Sequence, residues 1–501
     1  MIYINEHEVL LDEAEALQPW AEYDRVIWLA MDFIRRCPVE PRSGLPWYMV
    51  YSCFWTDPLR PALWPDNPAG KFAMAVETLS HYMPYSGEMW LVEVVRSMLD
   101  RLAAYHTPTD FAWPGLPYAS AEPVYGVYAG ARADGFEVIE PDKAAQAALG
   151  YVRFYQITGE STYLELGLQC ARRLGELQRP GDEEHSPWPF RVNARTGEVV
   201  EEYTSHVVAA IRLFEELVAL GMDEDGELAR SGSEAIAWLE RYPLANGMWK
   251  GYFEDIRLDP HNANRDQYSP LETARYLLTP PHDDGDGLAR AKALVAWVDG
   301  ALAAEPFFRA VAIHEQRFCY HTMGSHTARY ASLCAALAAR SGEEAYRERA
   351  VRSLNWATYM ADDNGWVRVG VDRPDYYNQC WFTDGYFDYV PHFLEAMAHL
   401  PECAPAGQDH LLRSTSVVQC IDYKPMHVSY RAFHLHGEET LRLSFTPVQV
   451  VCDGHLLDDG RAGTSAKGPG WDFDPRLQVL RIRRRGREVE IRGGGSAETG
   501  A

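Results

Sequence analysis

The chain has 501 residues, 47% of them hydrophobic and 24% charged, so it carries enough apolar material for a large core and is too long for one ordinary domain unless the architecture repeats. A formal net charge of -25 argues against nucleic acid or an anionic membrane surface as partner, because both are recognised through basic patches. The start MIYINEHEVLLDEAEAL lacks a basic and an apolar signal region, no stretch approaches 18 apolar residues, and nine cysteines are scattered without a C-x-x-C. A cytoplasmic location with reduced thiols is the expectation, with no metal and no cofactor.

From the N-terminus to about residue 400 one pattern recurs six times: an amphipathic helix, a long aromatic and polar loop, a smoother apolar helix, and a short turn. The first helix is predicted over Asp12–Arg36, followed by a Pro- and Gly-rich loop and the helix KFAMAVETLSHYM. MWLVEVVRSMLDRLAAYH then pairs with AAQAALGYVRFYQIT across a loop ending DGFEVIEPDK. TYLELGLQCARRLGELQ pairs with HVVAAIRLFEELVALG, and ELARSGSEAIAWLERYP with PLETARYLL. LARAKALVAWVDGALAAE pairs with ASLCAALAA across AIHEQRFCYHTMGSHTARY, and EEAYRERAVRSLNWATYM with FDYVPHFLEAMAHL. The turns ITGEST, ALGMDEDGE and RSGEEA place Gly where a helix C-cap needs a left-handed residue. Short and long connections alternate, which puts every long loop on one face of a ring of helical hairpins. The second helix of each pair, apolar and small, is the expected inner ring; the charged first helix is the outer one. Tryptophans 20, 28, 90, 238, 297 and 356 are assigned to outer helices and 47, 55, 64, 113, 188, 249, 366 and 381 to loops. After Leu411 the period shortens to alternating runs such as TLRLSF and LQVLRIRRR, an antiparallel β pattern. The expected division is a helical domain over 1–400, a linker over 401–410, a sandwich-like β domain over 411–493 and a disordered tail over 494–501.

Helical hairpins in a six-fold ring followed by a β module resemble the (α/α)6-toroid carbohydrate-active enzymes: glycoside hydrolases, among them unsaturated glucuronyl hydrolases, polysaccharide lyases and sugar 2-epimerases. The resemblance covers residues 12–400 and rests on architecture, so the mainly-α toroid is implied directly and the substrate class by analogy. It implies that the loops form a sugar site, where aromatic rings stack on pyranose faces and polar groups take the hydroxyls.

Hydrolysis needs two carboxyl groups, one protonated and one ionised. The candidates are those where a long loop enters an inner helix: Glu140, Asp142, Glu202, Asp266, Glu315 and Asp384, with Glu254 and Asp255 in mid-loop. Helix capping competes as the explanation for Asp142 and Asp384. Elimination or epimerisation at a uronate needs instead a Tyr or His base and a carboxylate clamp, for which Tyr268, His314 and His321 stand as bases. Substrate contacts are expected from Trp113, Trp188, Arg191, Tyr203, His206, Trp249, Arg265, Gln267, Arg317, His326, Arg368 and Trp381. His314, His321 and His326 are too loosely spaced for a zinc signature, and the residue four after His314 is Phe318. The reading is a glycoside hydrolase acting on an oligosaccharide, expected to contain uronic acid. Its alternatives are a lyase or epimerase and a non-catalytic carbohydrate-binding scaffold; neither nucleic acid nor membrane is expected as partner, and the oligomeric state is left open.

Overall fold

The computed structural model describes residues 1–41, 44, 46–50, 53–56, 60–63, 67–120, 135–253, 264–280, 282, 285–318, 320–371, 380–381, 384–460 and 468–494, without the side chains of 48, 50, 53–56, 60–63, 380–381 and 384. Twelve helices of ten or more residues lie among these and are numbered in chain order. The outer ones are α1 (Tyr23–Arg35), α3 (Trp90–Ala103), α5 (Ser161–Glu176), α7 (Glu227–Arg241), α9 (Gly285–Leu302) and α11 (Glu344–Thr358). The inner ones are α2 (Pro68–Ser86), α4 (Pro141–Thr158), α6 (Val208–Ala219), α8 (Tyr268–Leu277), α10 (Gly324–Ser341) and α12 (Val390–His399).

Each inner helix touches the next, and α12 returns to α2, so the inner ring closes. Its composition follows from that position: every residue of α10 from Gly324 to Ala338 is buried, whereas α7 buries only one stripe (Leu228, Ser231, Gly232, Ala235, Trp238, Leu239). The short turns behave as predicted. At the end of α4, Gly159 adopts φ +79° and donates its N–H to the Tyr155 carbonyl, a left-handed cap at which most side chains would be strained.

One predicted boundary is wrong. The first helix begins at Tyr23, not at Asp12, because the Asp12 carboxylate accepts the N–H groups of Ala14 and Ala16 and folds residues 11–17 into a loop. Trp20 therefore lies outside the helix and stacks on His7 at 3.7 Å.

Ten strands follow the ring: β1 (His410–Ser414), β2 (Val418–Lys424), β3 (His427–Ala432), β4 (His436–Arg442), β5 (Pro447–Cys452), β6 (His455–Leu456), β7 (Asp458–Asp459), β8 (Gly470–Asp474), β9 (Val479–Arg485) and β10 (Glu488–Gly493). They form two five-stranded sheets, β1-β4-β9-β8-β7 and β2-β3-β10-β5-β6. Pairing is antiparallel as predicted except for the two-residue β7, which runs parallel to β8. Inward residues alternate along β9, where Leu480, Ile482 and Arg484 are buried; Arg484 meets Glu439 at 2.9 Å with both side chains fully enclosed. The sheets pack under the C-terminal ends of the inner helices. His410 stacks on Tyr85 at 4.0 Å, Tyr423 donates its hydroxyl to the Pro84 carbonyl, and Gln419 donates to the Gln156 carbonyl at 3.0 Å. The long loops occupy the opposite face.

Candidate active site

The N-termini of α4, α6, α8 and α10 converge beneath the long loops. A small sheet of residues 138–139, 191–193 and 199–201 brings Arg191 and Glu201 to Glu140 at the start of α4, because its register sets Arg191 opposite Glu201 and Val138 opposite Asn193. Glu140, the residue before the N-terminal Pro141 of α4, makes no capping hydrogen bond. Its carboxylate accepts from Asn67 Nδ2 at 3.0 Å and Arg191 Nε at 3.0 Å, and lies 3.4 Å from Lys143 Nζ. Arg191 also reaches Glu201, at 3.4 Å. Asp142 accepts the Lys143 N–H at 2.8 Å, and its other oxygen is 3.5 Å from the Lys143 ammonium. Burial pushes the Asp142 carboxyl up to about 7, against the pull of Lys143 and with a further push from Glu140.

Lys143 opens a stack that runs across the ring axis. Its ammonium lies 3.7 Å from the Tyr252 ring centroid, Tyr252 stacks on Tyr268 at 3.6 Å with 8° between planes, and Arg329 sits 4.1 Å over Tyr268. Tyr252 reaches this place because Gly251 turns at φ +77° against the Tyr203 carbonyl, where a Cβ would come within 2.3 Å of the oxygen. His206 stands edge-on to both rings, at 5.0 and 5.1 Å. Gln146 Nε2 donates to the Tyr268 hydroxyl at 2.8 Å and faces His206 Nε2 at 3.3 Å. Burial, followed by Lys143, drives the His206 imidazole down to about 3, so it is neutral. Arg329 ends the stack by pairing with Glu272 and Asp388, and Asp388 lies 3.6 Å from His326. Below, His392 links Asp388 at 3.2 Å to Glu395 at 3.3 Å, and Arg275 holds Glu395. Beside the stack, Phe190, Glu201, Tyr203, Lys250, Phe253 and Asn264 line a small cleft open to solvent.

The predicted residues divide. Glu140, Asp142, Arg191, His206, Tyr268 and His326 come together around the stack. Glu202 does not: it pairs with Arg179 at 2.6 Å on a half-exposed surface, and its neighbour Glu201 faces Arg191 instead, because successive side chains of a strand point to opposite faces. Trp113, Trp188 and Trp249 are buried packing residues, with the Trp188 indole donating to the Leu174 carbonyl at 2.8 Å. The Tyr203 hydroxyl donates to the Met248 carbonyl at 2.9 Å, leaving its ring, not its oxygen, toward the cleft. Arg368 is held by Asp362 at 2.8 Å and by Glu6 at 3.2 Å, so it is no free carboxylate clamp. Arg265 donates to its neighbour's carbonyl at 2.8 Å. Gln267 is fully enclosed, with neither amide atom hydrogen-bonded among the described residues. Asp266 caps α8 by accepting the Ser269 N–H at 2.8 Å, and burial raises its carboxyl to about 6.

The fifth loop braces the fourth. Asp266 bridges to Gln316, Asn264 donates to Gln316 Oε1 at 2.7 Å, and the Arg317 N–H bonds the Arg265 carbonyl. His314 stacks on the exposed Tyr320 at 3.6 Å, Glu315 is buried, and its N–H bonds the His321 carbonyl; Arg317 itself is exposed. Glu254 and Asp255, the side chains of Trp381 and Asp384, and the tail from 495 lie outside the described residues. Lys143, Glu272 and Arg329 were not selected as site residues from the sequence. The available signal was charge in inner helices otherwise made of small apolar residues, which only an axis-facing position accommodates.

No family model matches this sequence, and a search of curated proteins finds no match. Solved structures do match. Cellobiose 2-epimerase from Spirochaeta thermophila aligns over 76% of this chain and 96% of its own, with TM-score 0.54 and 13% identity. A D-mannose isomerase aligns over 75% and 97%, with TM-score 0.54 and 13% identity. A family 76 glycoside hydrolase from a bovine Bacteroides thetaiotaomicron strain aligns over 76% and 78%, with TM-score 0.51 and 12% identity. These matches show the (α/α)6 toroid fold.

Proposed function

We propose that this chain is a glycoside hydrolase acting on an oligosaccharide that carries uronic acid, with Asp142 as general acid and Glu201 as the partner carboxylate. The observation that carries the reading is the Asp142 carboxyl, raised to about 7 by burial between Glu140 and Lys143. A carboxylic acid still protonated near neutral pH is what a leaving glycosidic oxygen requires. Glu201, less deeply placed, is tied to the same group through Arg191 and lines the cleft. Lys250 in the cleft wall supports an anionic sugar. The folds of the epimerase, the isomerase and the hydrolase named above support carbohydrate as the substrate class. A cytoplasmic site of action belongs to this reading and is supported by six cysteines that are free thiols among the described residues. No described helix is long and apolar enough to cross a membrane.

Proton transfer at a sugar carbon is the second reading, favoured by His206 and Tyr268 beside the stack. Against it, an imidazole driven down to about 3 is a weak base. Uronate-containing oligosaccharides, saturated and unsaturated, separate the two when absorbance at 235 nm, reducing ends and sugar isomers are followed together. New reducing ends without new absorbance, or loss of absorbance from unsaturated substrates, are expected. New absorbance or isomer formation without cleavage would replace the hydrolase by a lyase or an epimerase. Binding across the panel without any product would leave a carbohydrate-binding scaffold.

A further inference from the structure

The ring is closed where its first inner helix, α2, meets its last, α12. At this seam Glu77 and His81 stand one turn apart on α2, and Glu395 faces them from α12. His81 Nε2 is 3.9 Å from Glu395 Oε1, and one ligand atom from each of the three residues lies within 4.8 Å of the others. We propose that Glu77, His81 and Glu395 bind one divalent transition-metal ion, with Zn²⁺ as the test ion, and that this ion ties the two ends of the ring together.

Four observations support the site. First, the donor set is mixed nitrogen and oxygen, which zinc accepts, and ligands about 2.1 Å from a tetrahedral ion stand about 3.4 Å apart. The ligand atoms, within 4.8 Å of one another, therefore need to close by up to about 1.4 Å. Second, the Glu395 carboxylate is already oriented: His392 Nδ1 at 3.3 Å and Arg275 both take Oε2, which leaves Oε1 turned toward His81. Outer contacts of that kind fix a ligating group before the ion arrives. Third, neither Glu77 nor His81 takes a hydrogen bond from a described residue, so both keep their donor atoms free. Fourth, the site is wet. The His81 side chain keeps 33% of its accessible surface and Arg153 keeps 29%, although both project from the middle of inner helices. Water can thus complete the coordination shell.

Arg275 is the main opposing charge. It is divided between Glu395 and Glu272, the latter at 3.3 Å, so its positive charge is offset on both sides. The site uses none of the groups assigned to the sugar chemistry.

The full chain, stripped with a chelator and dialysed, is titrated with Zn²⁺ by calorimetry and melted with and without the ion; Co²⁺ absorption reports the coordination. One ion per chain, a rise in Tm and a ligand-field spectrum are expected. His81→Gln and Glu77→Gln should each weaken binding by more than about tenfold, since even outer partners of a ligand cost that much. Glu77→Gln preserves shape, so it decides the matter where His81→Gln alters folding. Absence of uptake by the unaltered chain overturns the site, and so does uptake that both variants leave unchanged.

Discussion

Replacing Asp142 by Asn tests the acid assignment through stability and activity together. A carboxyl moved from 3.8 to about 7 by burial is one that the folded state prefers protonated. Between those two values the folded chain holds a proton that the unfolded chain has released, so stability falls as pH rises through this window and levels off above it. A displacement of that size amounts to about 4 kcal/mol at full ionisation. Asn cannot ionise, so the variant lacks this decline. Urea denaturation of both proteins from pH 4 to pH 8 should show the unaltered chain losing up to about 4 kcal/mol relative to Asp142→Asn. On the cleaved substrate, kcat/KM of the variant should drop by about 10²–10⁴ and the alkaline limb near pH 7 should vanish. Parallel stability curves, or an alkaline limb that survives in the variant, would refute both the burial argument and the acid role.

Two further substitutions probe the surrounding geometry. Glu201→Gln should lower kcat/KM by about 10²–10⁴, whereas Glu202→Gln should leave it within a few-fold and cost at most about 1 kcal/mol in denaturation, as an exposed pair does; equal effects would undo the strand-face assignment. Arg329→Met leaves Asp388 enclosed without its arginine and Glu272 with Arg275 alone, and should cost about 3–5 kcal/mol in urea denaturation. Arg329→Met combined with Glu272→Gln should recover part of that loss, and failure to recover any would mean the pair is not coupled.

Local information carried the architecture. Helical periodicity, the alternation of short and long connections, and glycines such as Gly159 at helix ends are properties of neighbouring residues, so the hairpins, the two rings and the β module were all legible. The failures have the same root. Asp12 looked helical within its own sequence because its bonds to Ala14 and Ala16 compete with a helix only in the folded loop. Trp113, Trp188 and Trp249 were read as part of a sugar platform because hydrophobic bulk in a loop says nothing about which side it packs on.

The site was decided by tertiary structure. Glu140 was visible as an acid that does not cap a helix, but not its hold on Arg191, which lies 51 residues away in sequence. Nothing local distinguishes Glu201 from Glu202 until the strand is paired. The Lys143–Tyr252–Tyr268–Arg329 stack gathers residues from three inner helices and one loop, and the raised Asp142 carboxyl exists only once those elements exclude water. Sequence periodicity determined which segments are helices and strands, because that depends on neighbours along the chain. Which charged groups meet, and in which protonation state, depends on burial and on partners brought from far along the chain, and only the closed ring supplies those.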